Sequence, residues 1–196
     1  MQLSFNVNLI FRIKMNSKVI WITGLSGAGK STLSHEIVLK LRNFGMPVVL
    51  LDGDELRELL GAVTMNTQNH GRAGRIDLAM RYSYLCQMLS KQGVTVVIAT
   101  ISLFGEIHDW NRRNLPEYFE VYLKVPIKIL QDRDPKGIYR KFNSGEIQNV
   151  AGLDLVIDEP EYADIVFDYD KEQKLGDMAD MVIKHIYDDK STFGVK

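Results

Sequence analysis

The sequence predicts a three-layer α/β protein in which helices cover both faces of a parallel, five-stranded sheet. Two observations predict this fold: short apolar runs alternate with helical patterns, and a glycine-rich loop joins the first run to the first helix. The 196 residues suit a single domain, which we expect to span residues 15–196.

Apolar runs and helical spacing predict the individual elements in order. Strands are predicted at 18–23, 48–51, 94–100, 118–125 and 164–168. Helices are predicted at 32–41, from 56 onward, and at 76–91, 105–114, 126–131 and 176–187. Gly-, Asn- and Thr-rich residues 61–74 are predicted to form a loop. The charged segment 132–149, which contains proline and glycine, has the composition of a mobile lid.

The first fourteen residues form a separate feature. Its large apolar residues recur at every second position, which is a strand pattern, and its asparagines interrupt any signal-peptide core: Leu3, Phe5, Val7, Leu9 and Phe11 alternate with Ser4, Asn6, Asn8 and Ile10. Met15 stands directly before the first predicted strand and is a candidate start. Residues 1–14 are therefore expected to be an extension or an edge element.

Bulk properties exclude several classes of function. A net charge of −1 gives no reason to expect a nucleic-acid surface. No apolar run reaches the ~20 residues of a membrane helix, so no membrane partner is expected. The single cysteine, Cys86, fits a reducing compartment, and a cytoplasmic location is expected.

The glycine-rich loop between the first strand and helix fits the phosphate-binding pattern G-x-x-x-x-G-K-[ST]. Its residues are Gly24, Leu25, Ser26, Gly27, Ala28, Gly29, Lys30, Ser31 and Thr32. Such a loop turns backbone N–H groups around a phosphate at a helix N-terminus. Lys30 is expected to reach the β- and γ-phosphates of ATP, and Ser31 to ligate Mg²⁺. The pattern predicts a P-loop kinase fold, and the chain's size favours a small-molecule kinase.

Two carboxylates follow the second predicted strand. Asp52 lies at its carboxyl end, where open α/β sheets bind ligands, and Asp54 follows two residues later. We expect Asp52 to act as catalytic base or to orient Mg²⁺. Asp54 has two interpretations: a second site carboxylate, or a cap for the next helix.

Two groups of basic residues flank the expected site. The first consists of Arg57, Arg72, Arg75 and Arg81; the second consists of Arg133, Lys136, Arg140 and Lys141. Taken singly, each residue fits a solvated surface charge. As clusters beside a phosphate loop, they favour stabilisation of a transferred phosphoryl group.

These motifs resemble the adenylylsulfate (APS) kinase family from about residue 17 to 187. The resemblance is carried by GLSGAGKST at 24–32, DGD with Arg57 at 52–57, IS at 101–102, RDPKGIY at 133–139, GEI at 145–147 and GLD at 152–154. It implies transfer of the ATP γ-phosphoryl group to a ribose 3′-hydroxyl, with Mg²⁺, a lid at 132–149 and a homodimer. Arg133 and Lys136 are implied to bind ATP. The implied acceptor site comprises Asp54, Arg57, His70, Arg75, Leu78, Ile101, Ser102, Lys141, Val150, Gly152 and Leu153.

The departures from the family pattern lie in the acceptor half. Two phenylalanines that sandwich the adenine of APS in the family fall on His70 and Val150, and an asparagine falls on Leu78. Losing an aromatic plane costs about 1–3 kcal/mol per base face. We therefore expect a nucleotide acceptor other than APS.

One member of the family phosphorylates cytidine diphosphoramidate in capsule modification, and its smaller base suits such a site. An authentic APS kinase of sulfate assimilation and a non-catalytic nucleotide-binding module remain alternatives.

Overall fold

The computed structural model describes residues 17–60 and 71–188. The predicted features at 1–14, the candidate start Met15, positions 61–70 of the predicted loop, and His70 lie outside these residues. Within the described ranges, no helix has the length and apolar character needed to cross a bilayer.

Five parallel strands form the sheet in the described part of the chain, as predicted. They are β1 (Val19–Gly24), β2 (Val48–Asp52), β3 (Thr95–Ala99), β4 (Tyr118–Lys124) and β5 (Ile165–Asp168). Their spatial order is β2-β3-β1-β4-β5, so β1 lies at the centre. The register aligns Asp52 with Ala99 and Ala99 with Ile22, so β2 and β3 end together at the carboxyl edge of the sheet, and β1 continues two residues further to Gly24.

Helices connect the strands, as parallel pairing requires. They are α1 (Lys30–Asn43), α2 (Gly53–Leu59), α3 (Arg72–Ser90), α4 (Gly105–Asn114), α5 (Ile127–Arg133), α6 (Ile138–Asn143) and α7 (Leu175–Asp188). Helix α3 begins at Arg72, not at 76 as predicted. The predicted loop therefore ends earlier, because Gly74 is accommodated inside the helix at a modest cost.

Alternate residues of β1 divide the core into two layers. Ile20 and Ile22 face one side, where α1 and α7 pack with residues such as Leu33. Val19 and Trp21 face the other side, where α3 and α4 pack. Both faces of β1 are fully buried, as the unbroken apolar run predicted. The three-layer α/β prediction is therefore confirmed.

Candidate functional site

The glycine-rich loop leads from the end of β1 directly into α1, whose first residue is Lys30. At Gly24, φ is +148°, and a Cβ atom would lie 2.7 Å from the Leu123 carbonyl oxygen of β4. Glycine is therefore required where the loop leaves the sheet. The loop runs directly into the fourteen-residue helix α1. It therefore lies at a helix N-terminus, where backbone N–H groups attract anions.

Lys30 is held inside the loop. Its Nζ donates a hydrogen bond of 2.8 Å to the Leu25 carbonyl oxygen. Burial, together with the nearby Lys136 ammonium, lowers the pKa of Lys30 to about 8, against partial compensation from Asp52 and Asp54. A bound polyphosphate would place a negatively charged partner beside the Lys30 ammonium.

Asp52 joins the loop to the next helix. Its Oδ2 accepts a 2.6 Å hydrogen bond from the Ser31 hydroxyl, and its Oδ1 accepts a 2.8 Å bond from the Asp54 N–H. The cap of α2 is therefore Asp52, and the capping interpretation of Asp54 is wrong. Asp54 stays free to face the cavity because its neighbour satisfies the helix N-terminus.

The Ser31 and Asp52 oxygens are suited to Mg²⁺, which takes oxygen ligands and keeps several water and phosphate ligands. The described residues hold no cluster of three or more His, Cys, Asp or Glu side chains arranged for a metal. A hydroxyl and a carboxylate in direct contact fit an ion that the nucleotide's phosphates would largely ligate.

The lid folds over this loop from the other side. Lys136 Nζ contacts Asp54 Oδ2, and the buried Tyr139 hydroxyl donates a 3.0 Å hydrogen bond to the Ser26 carbonyl oxygen. Partial burial acts to raise the pKa of Asp54, but the Lys136 and Arg57 cations outweigh it and lower that pKa. The predicted lid segment thus contacts both the phosphate loop and α2.

Arg57 and Arg75 form a pair of cationic side chains at the other end of the site from the glycine-rich loop. Arg75 Nη2 donates a 2.8 Å hydrogen bond to the Asn149 carbonyl oxygen. Burial and the Arg57 charge lower the pKa of Arg75 to about 10, while Asp154 opposes the shift. Arg57 Nε is buried without a hydrogen-bond partner in the described part of the chain. Two adjacent guanidinium groups suit an anionic ligand group.

These groups surround one cavity of about 840 Å³. Its wall combines the phosphate loop, the ends of β2 and β3, the lid and residues 146–151. Among the described residues that line it, none is aromatic. The cavity therefore has a phosphate-binding end and a second end with two arginines and an aliphatic wall.

Comparison with known proteins assigns this arrangement. The sequence model of the adenylylsulphate kinase family matches residues 16–168. The chain belongs to the adenylylsulphate kinase family.

Individual relatives agree with this assignment. The chain is 39% identical over 174 residues to the cytidine diphosphoramidate kinase of Campylobacter jejuni, covering 89% of this chain and 99% of that protein. It is 34% identical over 167 residues to an adenylyl-sulfate kinase of Synechococcus, covering 85% of this chain and 92% of that protein.

A solved structure confirms the P-loop kinase fold. The Mycobacterium tuberculosis APS kinase CysC, in complex with AMPPNP and APS, has a TM-score of 0.78 and 30% identity, and the match covers 87% of this chain and 98% of that one. Membership of the adenylylsulphate kinase family makes the chain a nucleotide-binding kinase that phosphorylates a hydroxyl group. It supports an enzyme over a non-catalytic module.

Most of the predicted residues of this adenylylsulphate kinase family member meet in the cavity. Its wall includes Ser26, Gly27, Gly29, Lys30, Ser31, Thr32, Asp52, Asp54, Arg57, Arg75, Ile101, Lys136 and Val150. Arg133 lies at the margin, where its Nη1 is 3.5 Å from the Gly27 carbonyl oxygen and its guanidinium stacks over the Tyr169 ring. The roles given to these residues stay predictions.

Other predicted residues lie outside the cavity wall. Leu78 packs in the core layer between the sheet and α3, and Ser102 is buried against Thr100. Gly152 packs on Leu25, the partly buried Leu153 packs against the core, and Lys141 is exposed on α6. Their roles in acceptor binding also remain predictions.

The first basic cluster divides into two groups. Arg57 and Arg75 enter the cavity, whereas Arg72 pairs with Asp158 and Glu106, and Arg81 pairs with Asp77 one helical turn away. The prediction of one functional cluster is therefore wrong for Arg72 and Arg81. They lie on α3 with surface carboxylates within reach, so they are stabilised without a ligand.

Sequence reasoning missed several cavity residues. They are Thr100 after β3, and Pro135, Ile138, Glu146, Ile147, Gln148 and Asn149, which fall inside the predicted lid segment but were not named as site residues. The proximity of 146–149 to the GEI and GLD motifs was a usable signal. Nothing in their spacing shows which side chains face the cavity.

Proposed function

We propose that this kinase transfers the γ-phosphoryl group of ATP to the ribose 3′-hydroxyl of a nucleotide other than APS, such as cytidine diphosphoramidate. The observation that carries the proposal is the absence of an aromatic side chain among the described residues of the cavity wall. Val150, where the family pattern has a stacking phenylalanine, is a buried aliphatic residue with an exposed fraction of 6%.

The magnitude of base stacking supports this choice. An aromatic face contributes about 1–3 kcal/mol to base binding, which corresponds to roughly tenfold to hundredfold in affinity. The cationic pair Arg57 and Arg75 suits the diphosphate-like part of either acceptor.

The residues of the cavity have separate roles in this proposal. Gly24 to Thr32 would bind the phosphates of ATP, with Arg133 and Lys136 closing over them. Asp52 would accept the proton of the 3′-hydroxyl, which makes that oxygen a better nucleophile. Ser31 and Asp52 would hold Mg²⁺, which neutralises charge on the phosphates when bound. Lys30 would stabilise the charge that develops on the transferred group.

An authentic APS kinase is the second candidate. It is favoured by the likeness to the M. tuberculosis enzyme bound to APS and by the adenylyl-sulfate kinases among the relatives. The two candidates share the donor site and differ only in the base and the terminal group of the acceptor.

Parallel kinase assays with APS and cytidine diphosphoramidate test the proposal. We expect kcat/KM for the cytidine acceptor to exceed that for APS by about tenfold or more, given the stacking contribution that APS loses. A 3′-deoxy cytidine acceptor is the control, and it should accept no phosphate. A clear preference for APS would overturn the proposal, and turnover of the 3′-deoxy compound would exclude the 3′-hydroxyl as acceptor.

We also propose that the protein is a homodimer in the cytoplasm. The support is the family resemblance, which implies a homodimer. Light scattering should give a mass twice the 22.4 kDa of the chain. A mass of one chain at micromolar concentration would contradict the dimer.

A further inference from the structure

The Asp154 carboxylate organises the loop 149–155, which begins where the predicted lid segment ends. Asp154 Oδ2 accepts a 2.7 Å hydrogen bond from the Asn149 N–H, and Oδ1 accepts a 2.6 Å bond from the Val150 N–H. The Leu155 N–H returns to the Val150 carbonyl, and the Gly152 N–H donates to the Leu155 carbonyl. The loop 149–155 is therefore closed on itself, although Asp154 itself is solvent-exposed.

This loop touches both halves of the cavity. The Asn149 carbonyl oxygen accepts the 2.8 Å hydrogen bond from Arg75 Nη2. On the other side Gly152 approaches the phosphate loop so closely that a Cβ atom would lie 2.9 Å from Leu25 Cδ1. The loop therefore contacts Arg75 through Asn149 and the phosphate loop through Gly152.

Asn149 has a left-handed backbone conformation, which affects how its carbonyl group is held. Its φ is +61°, in the left-handed region, which asparagine adopts more readily than most residues other than glycine. The Asp154 carboxylate binds the Asn149 N–H and the next N–H along the chain, which compensates for this conformation. Without the carboxylate, the Asn149 carbonyl would lose its defined direction.

We propose that Asp154 is a positioning residue of the acceptor site, which acts by fixing the Asn149 carbonyl that orients the Arg75 guanidinium into the cavity. Asp154 does not line the cavity, so its effect passes through Arg75. The inference rests on the proposed function, in which Arg75 binds the anionic part of the nucleotide acceptor. It holds for either candidate acceptor because both carry that anionic part.

Charge contributes in the same direction. Burial and the neighbouring Arg57 disfavour the charged form of Arg75, whereas Asp154 favours it. Replacing the carboxylate with a neutral amide would therefore weaken both the position and the charge balance of Arg75.

The experiment compares Asp154→Asn with a matched control, Asp158→Asn, in the full chain. Asp158 also accepts from a backbone N–H, that of Gly105, and from an arginine, Arg72, but it lies outside the cavity wall. We expect Asp154→Asn to raise the KM for the acceptor about tenfold, as loss of an oriented charged hydrogen bond does. The KM for ATP and kcat should stay within about twofold. Asp158→Asn should leave the acceptor KM unchanged.

A double-mutant cycle with Arg75→Ala separates positioning from general destabilisation. If Asp154 acts through Arg75, Asp154→Asn adds little further loss in the Arg75→Ala background. The inference would be overturned if the fold-changes in acceptor KM of the two single variants multiplied fully in the double variant. It would also be overturned if Asp154→Asn left the acceptor KM unchanged. Should Asp154→Asn fold poorly, Asp154→Ser, whose shorter side chain can accept at most one of the two N–H groups, is expected to give a rise at least as large. A folded Asp154→Ser enzyme with wild-type acceptor KM would equally overturn it.

Failure of the proposed function gives a different result. A wild-type enzyme that phosphorylates no nucleotide acceptor contradicts the function itself. A wild-type enzyme that phosphorylates either acceptor, with variants that leave the acceptor KM unchanged, contradicts only the role of Asp154.

Discussion

At the scale of single residues, two ammonium groups share the donor end of the cavity. Lys30 is buried and Lys136 is half-exposed, and the charge of the second helps to lower the pKa of the first to about 8. A bound polyphosphate would therefore relieve the repulsion between the two ammonium groups. Because the pKa of Lys30 is lowered, its charge, and with it the activity, should depend on pH.

We predict that kcat/KM for ATP falls as pH rises above about 8, because Lys30 then loses its proton in the free enzyme. Below that pH, Lys30 is charged and pairs with phosphate. Lys136→Gln removes the neighbouring charge and should move the break to higher pH. A profile of kcat/KM against pH from 6 to 10 measures both effects, and a break that stays in place in Lys136→Gln would contradict the coupling.

Lys30→Ala tests the same residue directly. The substitution removes a cation from the position where negative charge develops during transfer, so kcat should fall by about 10²–10³. Single-turnover measurements separate this loss from weaker ATP binding. The expected role of Lys30 would be wrong if the variant kept a wild-type kcat.

At the scale of elements, the turn from β1 into the phosphate loop depends on Gly24. Its φ of +148° and the 2.7 Å approach to a backbone carbonyl leave no room for a side chain. The neighbouring strand would have to move to admit one, and the sheet would lose part of its β1–β4 pairing.

Gly24→Ala should therefore lower the free energy of unfolding by about 2–4 kcal/mol. Gly45→Ala is the matched control, since Gly45 has a φ of +76° but no heavy atom within 4 Å of a Cβ. We expect about 1 kcal/mol for the control, from backbone conformation alone. Urea denaturation measures both variants, and equal losses would show that the contact with β4 contributes nothing.

At the scale of the whole molecule, the predicted lid segment and helix α2 meet through Lys136 and Asp54. The two side chains are 50% and 63% exposed, so their ion pair contributes little. The buried Tyr139 and its hydrogen bond to Ser26 hold the lid more firmly. We therefore expect the exposed ion pair to restrain the predicted lid segment less than the buried Tyr139 does.

Asp54→Asn should increase tryptic cleavage after Arg140 or Lys141 only about two- to threefold, as expected for loss of an exposed pair. The non-hydrolysable analogue AMPPNP should protect wild type and variant alike, because the nucleotide supplies its own anion to the lid. Cleavage rates followed by mass spectrometry test this. A variant cleaved at the wild-type rate without nucleotide would show that the contact does not restrain the lid.

The sequence predicted the elements well and the site in part. Apolar runs placed every strand within two residues of its observed ends. Because of Gly74, the start of α3 was predicted at residue 76 and not at Arg72. Local composition cannot show that a helix tolerates a glycine. Arg72 and Arg75, three residues apart on that helix, fitted one cluster equally well, yet only Arg75 enters the cavity.

The sequence by itself determined the alternation of strands and helices and the phosphate loop, because both follow from local backbone chemistry and short-range spacing. Only the tertiary structure decided the strand order, the pairing of Lys136 with Asp54 across 82 residues, and the support of Arg75 by Asn149. These contacts join segments far apart in the chain. Parallel crossovers bring such segments together, and no local pattern records which side chains then meet.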